Sequence, residues 1–141
     1  MRRYLVFDLG GAVARAVLDE RAPVTCDVLW ERVFPFAGQA LPARHSGTEA
    51  GFHFDPTVLA PVENATVNLM KGDIVFIHYE ARERHGNPEP ISEVIWCYDR
   101  YNMAVAPGKQ QRVLGNVFAE FLPGAETFYA MSARQIGRAH V

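Results

Sequence analysis

The sequence predicts a mainly β fold, a barrel or a sandwich, and three observations lead there. Short apolar stretches are separated by glycine, proline and aspartate or asparagine turn signals. The hydrophobic period is two over most of the chain, and helical spacing appears only twice, once early and once late. Such a pattern favours a barrel or sandwich over a parallel α/β sheet, in which helices would alternate with strands. A length of 141 residues suits one domain. Apolar residues make up 49% and charged residues 21%, which fits neither a disordered tail nor a membrane protein. Lysine plus arginine total 14 against 16 carboxylates, a net charge of -2 that provides no field for holding phosphate backbones or anionic lipid. Neither nucleic acid nor a membrane is an expected partner.

The elements follow in order. Tyr4 to Leu9 and Ala12 to Leu18 flank Gly10-Gly11, a pair suited to a tight hairpin turn. Cys26, Leu29, Trp30 and Val33 then recur at helical spacing, with Asp27, Glu31 and Arg32 opposite. This predicts an amphipathic helix from near Pro23 to Pro35. In Glu49 to Phe54 the phenylalanines share one face, and Gly51 and His53 the other. Ile74 to Tyr79 and Val94 to Tyr98 are continuous runs of β-branched and aromatic residues and read as central strands. Between them, residues 80–92 are charged and contain Pro88 and Pro90, as a solvated loop does. Val113 to Leu122 is a further strand, and Pro123-Gly124-Ala125-Glu126 opens a short helix reaching Arg134. About seven strands and two short helices result.

At the start, Arg2 and Arg3 precede an apolar run that Asp8 interrupts, so no export signal or membrane span is expected and the protein is expected in the cytoplasm. Cys26 and Cys97 lack metal-type spacing and read as free, buried thiols. Residues 136–141, Ile-Gly-Arg-Ala-His-Val, match ATC GGA AGA GCA CAC GTC, one frame of a widely used sequencing-adapter oligonucleotide. The expectation is a single domain over residues 1–135 followed by a non-native tail over 136–141.

The helix APVTCDVLWERVFP, the turn Arg44-His45-Ser46-Gly47 before Glu49 to Phe54, Glu63-Asn64, Gly72-Asp73-Ile74-Val75 and Gly115-Asn116-Val117-Phe118 together resemble a cyclophilin-like family of small bacterial proteins of unknown function. The resemblance runs from about Tyr4 to Arg134. It implies a closed or nearly closed β-barrel with a helix at each open end and a last strand after the late helix. That strand is expected to be missing here, leaving an unpaired edge. True cyclophilins isomerise X-Pro bonds with an arginine beside an apolar proline pocket. Their phenylalanine and glutamine signature is not found around Arg44, so prolyl isomerisation is not expected.

Arg44, His45, Ser46 and Glu49 put a fixed cation, an imidazole, a hydroxyl and a carboxylate within one short turn. Arginine offers a planar fork for a carboxylate, and histidine moves protons near neutral pH. The bland alternative is a glycine turn at Gly47 with Arg44 and Glu49 paired on the surface. Glu63 and Asn64 suit either a ligand or a turn cap. Trp96 and Tyr98, two apart on one strand face, suit either an aromatic pocket wall or the core. Ser46 lacks a nucleophile elbow, and His45, His53 and Glu49 lack metal-site spacing, so neither a serine triad nor a metal is expected. No phosphate-binding glycine pattern occurs and no cofactor is expected.

The leading expectation is therefore binding of a small polar or anionic metabolite through Arg44, His45, Ser46, Glu49, Glu63 and Asn64, with Trp96 and Tyr98 as a wall. An alternative is a small-molecule hydrolase or lyase acting on an amide or carboxylate compound, with His45 as base and Arg44 as clamp. A third is a non-catalytic interaction barrel. A small-molecule ligand is the expected partner, and homo-oligomerisation stays open.

Overall fold

The first turn follows from its two glycines. Gly10 and Gly11 take φ of 60° and 90°, a conformation that costs other residues dearly. They pair β1 (Tyr4–Leu9) with β2 (Ala12–Leu18), Tyr4 opposite Val17 and Leu9 opposite Ala12. The computed structural model describes residues 2–42, 47–83, 86–100, 102–103, 105–106, 111–134 and 138–141.

Helix α1 (Pro23–Arg32) starts on a proline whose φ is already helical and ends before the Phe34–Pro35 bond. Cys26 and Leu29 are buried as the spacing predicts, and Thr25 joins them. Trp30 departs from the expectation: it is 41% exposed, with the Arg3 guanidinium 5.6 Å over its ring. A helix this short touches the sheet along one narrow stripe, and Trp30 lies about 100° round from Leu29. Its indole sits at the rim and not under it.

The chain continues through β3 (Ala37–Gln39), β4 (Leu41–Pro42), β5 (Glu49–Phe54), β6 (Ala65–Thr66), β7 (Asn68–Leu69), β8 (Asp73–Tyr79) and β9 (Ile91–Cys97). Then come β10 (Asn102–Met103), β11 (Val105–Ala106), β12 (Gln111–Arg112), β13 (Gly115–Phe121), helix α2 (Glu126–Arg134) and β14 (Arg138–His140). The main sheet is antiparallel in the order β3-β14-β1-β2-β13-β8-β9-β5-β4, with β6 also on β13. β8 and β9 are central, as their continuous apolar runs predict.

Two expectations need correction. Of the closed or nearly closed barrel expected, full closure is not found: among the described residues no hydrogen bonds join β3 and β4, the two end strands of the sheet. Those ends are consecutive in sequence with Ala40 alone between them, so residues 37–42 pass from one end of the sheet to the other. The last strand is also not missing: β14 pairs with β1, Asp8 opposite His140, and with β3, Gly38 opposite Ala139. A ladder requires backbone donors and acceptors, not a particular composition. Ala139, 2% exposed, satisfies the packing by being small.

Alternation sorts the strands into two faces. One carries Phe7, Phe52, Phe76, Trp96 and Phe118, covered by Phe128 of α2, and forms the main core. Each such side chain contributes about 1.5–3 kcal/mol on burial. The other face carries a smaller cluster of Leu69, Val75, Ile77, Tyr79, Ile95 and Cys97. Among the described residues, no helix is long and apolar enough to cross a membrane.

Candidate functional site

Strand β5 presents its residues alternately to the two faces. Phe52 and Phe54 enter the main core, while Glu49, Gly51 and His53 face the other way, opposite Cys97, Ile95 and Glu93 of β9. Glu49 is therefore a carboxylate 1% exposed at the margin of an apolar surface. Burying such a charge costs several kcal/mol unless positive or hydrogen-donating groups compensate it. Burial, with Glu49 and Asp73 nearby, pushes the Cys97 thiol well above its ordinary range. At the far end of the same face, His53 Nε2 lies 3.1 Å from Glu93 Oε2.

The segment entering β5 is pinned to the turn beyond β9. Tyr98 donates its N–H to the Thr48 carbonyl at 3.0 Å, and the Thr48 hydroxyl donates to the Arg100 carbonyl at 2.8 Å. Asn102 adds a bond from Nδ2 to the Asp99 carbonyl at 2.6 Å. The entrance to β5 is thus held at one fixed level of the second face. Arg44, His45 and Ser46, the core of the site expected from sequence, lie outside the described residues.

The other expected residues are found elsewhere. Trp96 and Tyr98 share a face, as expected, but it is the main-core face, across the sheet from Glu49. The fully buried Trp96 packs 5.5 Å from Phe128 and 5.6 Å from Phe7. Its Nε1 donates to Ser132 Oγ at 2.9 Å, and Ser132 donates to the Phe128 carbonyl. That is the pattern of a buried indole satisfied within the core.

Glu63 and Asn64 belong to a third place, the start of α1. Ala22 provides no side-chain cap there, and Glu63 Oε1 instead accepts the Thr25 N–H at 2.6 Å and its hydroxyl at 2.8 Å. A carboxylate at a helix N-terminus is favoured by the helix dipole as well. Asn116 of β13 donates to Thr25 Oγ1 at 3.0 Å and to the Pro61 carbonyl at 2.8 Å, and accepts the Glu63 N–H. Asn64, at φ 45°, donates to the Val117 carbonyl at 2.8 Å and to Asp19. The Asp19 carboxyl is held below its usual range by hydrogen bonds from Arg21.

Sequence reasoning missed three groupings: Asn116 with Thr25, His53 with Glu93, and a chain from Ser92 through His78 to Glu80. In that chain Ser92 Oγ lies 2.7 Å from His78 Nδ1, and His78 Nε2 lies 3.3 Å from Glu80 Oε1. Each depends on which residues of separate strands face one another, and no local motif records that. Among the described residues, no group of three histidine, cysteine or acidic side chains is placed to hold a metal ion.

No curated protein matches the chain. A family model does, the one described as "Protein of unknown function (DUF3830)". Its match over residues 8–138 takes in nearly the whole chain, from the end of β1 into β14, so the protein belongs to that family.

Proposed function

We propose that the protein is a cyclophilin-like barrel that binds a small polar or anionic metabolite on the second face of its sheet, where β5 begins. One observation carries the reading: Glu49, a carboxylate 1% exposed, lies on a face otherwise lined by Ile95, Cys97 and Val75. The chain leads into it through Arg44, His45 and Ser46. In this reading Glu49 orients the Arg44 guanidinium or the His45 imidazole. The cation then presents its remaining donors to a carboxylate or amide oxygen of the ligand. Ser46 adds a hydroxyl able to donate or accept. The apolar floor raises the strength of each polar contact by excluding water. Trp96 and Tyr98 contribute from the opposite face by holding β9 in place.

The test is a thermal-shift screen of the whole chain against small mono- and dicarboxylates and their amides. A ligand at about a hundredfold excess over its Kd stabilises the folded state by about 2.7 kcal/mol, a rise of several degrees in Tm. Arg44→Ala and His45→Ala are expected to abolish the rise, whereas Glu31→Ala, on the exposed side of α1, leaves it intact. The reading fails if no compound shifts a cooperative melt, or if the shift survives both site variants. Turnover of a bound amide, lost in His45→Ala, would place the chemistry in the hydrolase class.

A further inference from the structure

The Ser92–His78 contact poses a question of proton accounting. Ser92 is fully buried on β9, and its hydroxyl has one proton and two lone pairs. It meets three groups: the Val58 N–H, which donates to it at 3.2 Å, the Val58 carbonyl at 3.2 Å, and His78 Nδ1 at 2.7 Å. If the imidazole is neutral with its proton on Nε2, toward Glu80, then Nδ1 accepts the serine proton. The Val58 carbonyl then loses that donor. If both ring nitrogens carry protons, Nδ1 donates to Oγ, the Val58 N–H donates to the other lone pair, and the hydroxyl proton goes to the Val58 carbonyl. In each of these two states Nε2 carries the proton that faces Glu80, 3.3 Å away. The neutral ring with its proton on Nδ1 would also free the serine proton for Val58, but it turns a bare Nε2 lone pair toward that carboxylate. Only the cationic ring satisfies every contact at once.

The geometry points to a proton-operated latch: protonation of His78 reverses its hydrogen bond with Ser92 and fastens the loop carrying Val58 to β9. The loop joins β5 to the Glu63–Asn116 network and covers one end of the main core, where Val58 is buried. The ring is placed to sense solvent, its side chain being 12% exposed and that of Glu80 68%. Among the described residues of β8 and its following turn, Glu80 is the charge facing the ring, and Glu83 is engaged with the Glu80 N–H. From β9 the facing group is the Ser92 hydroxyl, since Glu93 turns to the other face and pairs with His53. From β5 the neighbour level with Ser92 is Phe54, and from the loop it is the Val58 peptide, with Asp55 exposed. On β13, Glu120 lies at the opposite end of β8, level with Asp73. Ser92, His78 and Glu80 are not read as a nucleophile–base–acid triad, because Ser92 is fully buried with the Val58 peptide on its oxygen.

Imidazole is the side chain that ordinarily changes charge between about pH 5 and 8. The experiment is amide hydrogen exchange of the full chain by NMR at several pH values in that range, corrected for intrinsic exchange. It is paired with ring ¹⁵N shifts of His78. The Val58 amide is expected to gain about fivefold in protection on acidification, one ordinary hydrogen bond's worth. The gain should track the appearance of protons on both ring nitrogens. In His78→Asn the gain should vanish. The latch is overturned if Val58 protection stays flat while protons appear on both ring nitrogens, if the second ring proton never appears across the range, or if the same gain persists in His78→Asn. Should that variant fail to fold, the wild-type titration decides alone.

Discussion

Cys26 shows how a single side chain can be silenced by its surroundings. Its sulfur sits under α1, 3.3 Å from the Asp19 and Phe118 carbonyls, and burial pushes the thiol up to about 12 from an ordinary 9.0. Roughly one molecule in ten thousand then carries a thiolate at pH 8, and the thiolate is the reactive form. Cys97 is raised in the same way. Both cysteines should therefore resist iodoacetamide at pH 8 in the native protein and react fully in denaturant. Labelling of either in the native state at the rate of a free peptide thiol would refute this. The same shift carries a pH dependence. The contribution to stability is present in full below pH 9.0. It is lost between there and about 12, where the unfolded chain ionises and the folded one does not.

Polar side chains join the elements here, and Asn116 is one that joins several. From the middle of the sheet it ties the start of α1, the 61–64 loop and β13 together through Thr25, Pro61 and Glu63. Asn116→Ala leaves several buried donors and acceptors without partners and should cost about 2–3 kcal/mol in urea denaturation. The Thr25 amide should also exchange faster relative to amides of α2. A loss under about 0.5 kcal/mol would show that water replaces the amide without penalty. At this scale the sequence was legible wherever an element was long enough to show a period. The hairpin, β5, β8, β9, both helices and β13 follow from spacing and glycine placement. The two- and three-residue strands did not, because a period of two is invisible in two residues. Their pairing is set by the partner strand. The legibility of the site was uneven for a related reason. Phenylalanine parity in β5 tells which side Glu49 takes, but not that Trp96 and Tyr98 lie across the sheet from it. A carboxylate and an amide in a loop suited either a ligand or a cap at Glu63 and Asn64, and spacing could not show that Glu63 meets the start of a helix lacking a side-chain N-cap.

For the whole molecule, the decisive feature is how the two ends of the sheet are brought together. Residues 37–42 span them, and among the described residues β3 pairs with the sheet through β14, which lies between β3 and β1. Phe36 and Val141 exchange backbone hydrogen bonds of 2.7 and 2.8 Å just past that pairing. Removing residues 135–141 would thus do more than shorten a tail. It would bare the edge of β1, whose Tyr4 and Val6 are already exposed apolar side chains, and release the strand that connects one end of the sheet to the other. The truncated chain should melt at least about 5 °C lower and should associate with rising concentration through the freed edge. Because the contribution is made by backbone groups and the small Ala139, replacing His140 with Thr should leave Tm nearly unchanged. A truncated chain that melts like the full one and stays monomeric at every concentration would show that β14 is an ornament on a sheet that holds without it. A lowered Tm with full recovery on adding back the C-terminal peptide would establish it as the strand that completes the fold.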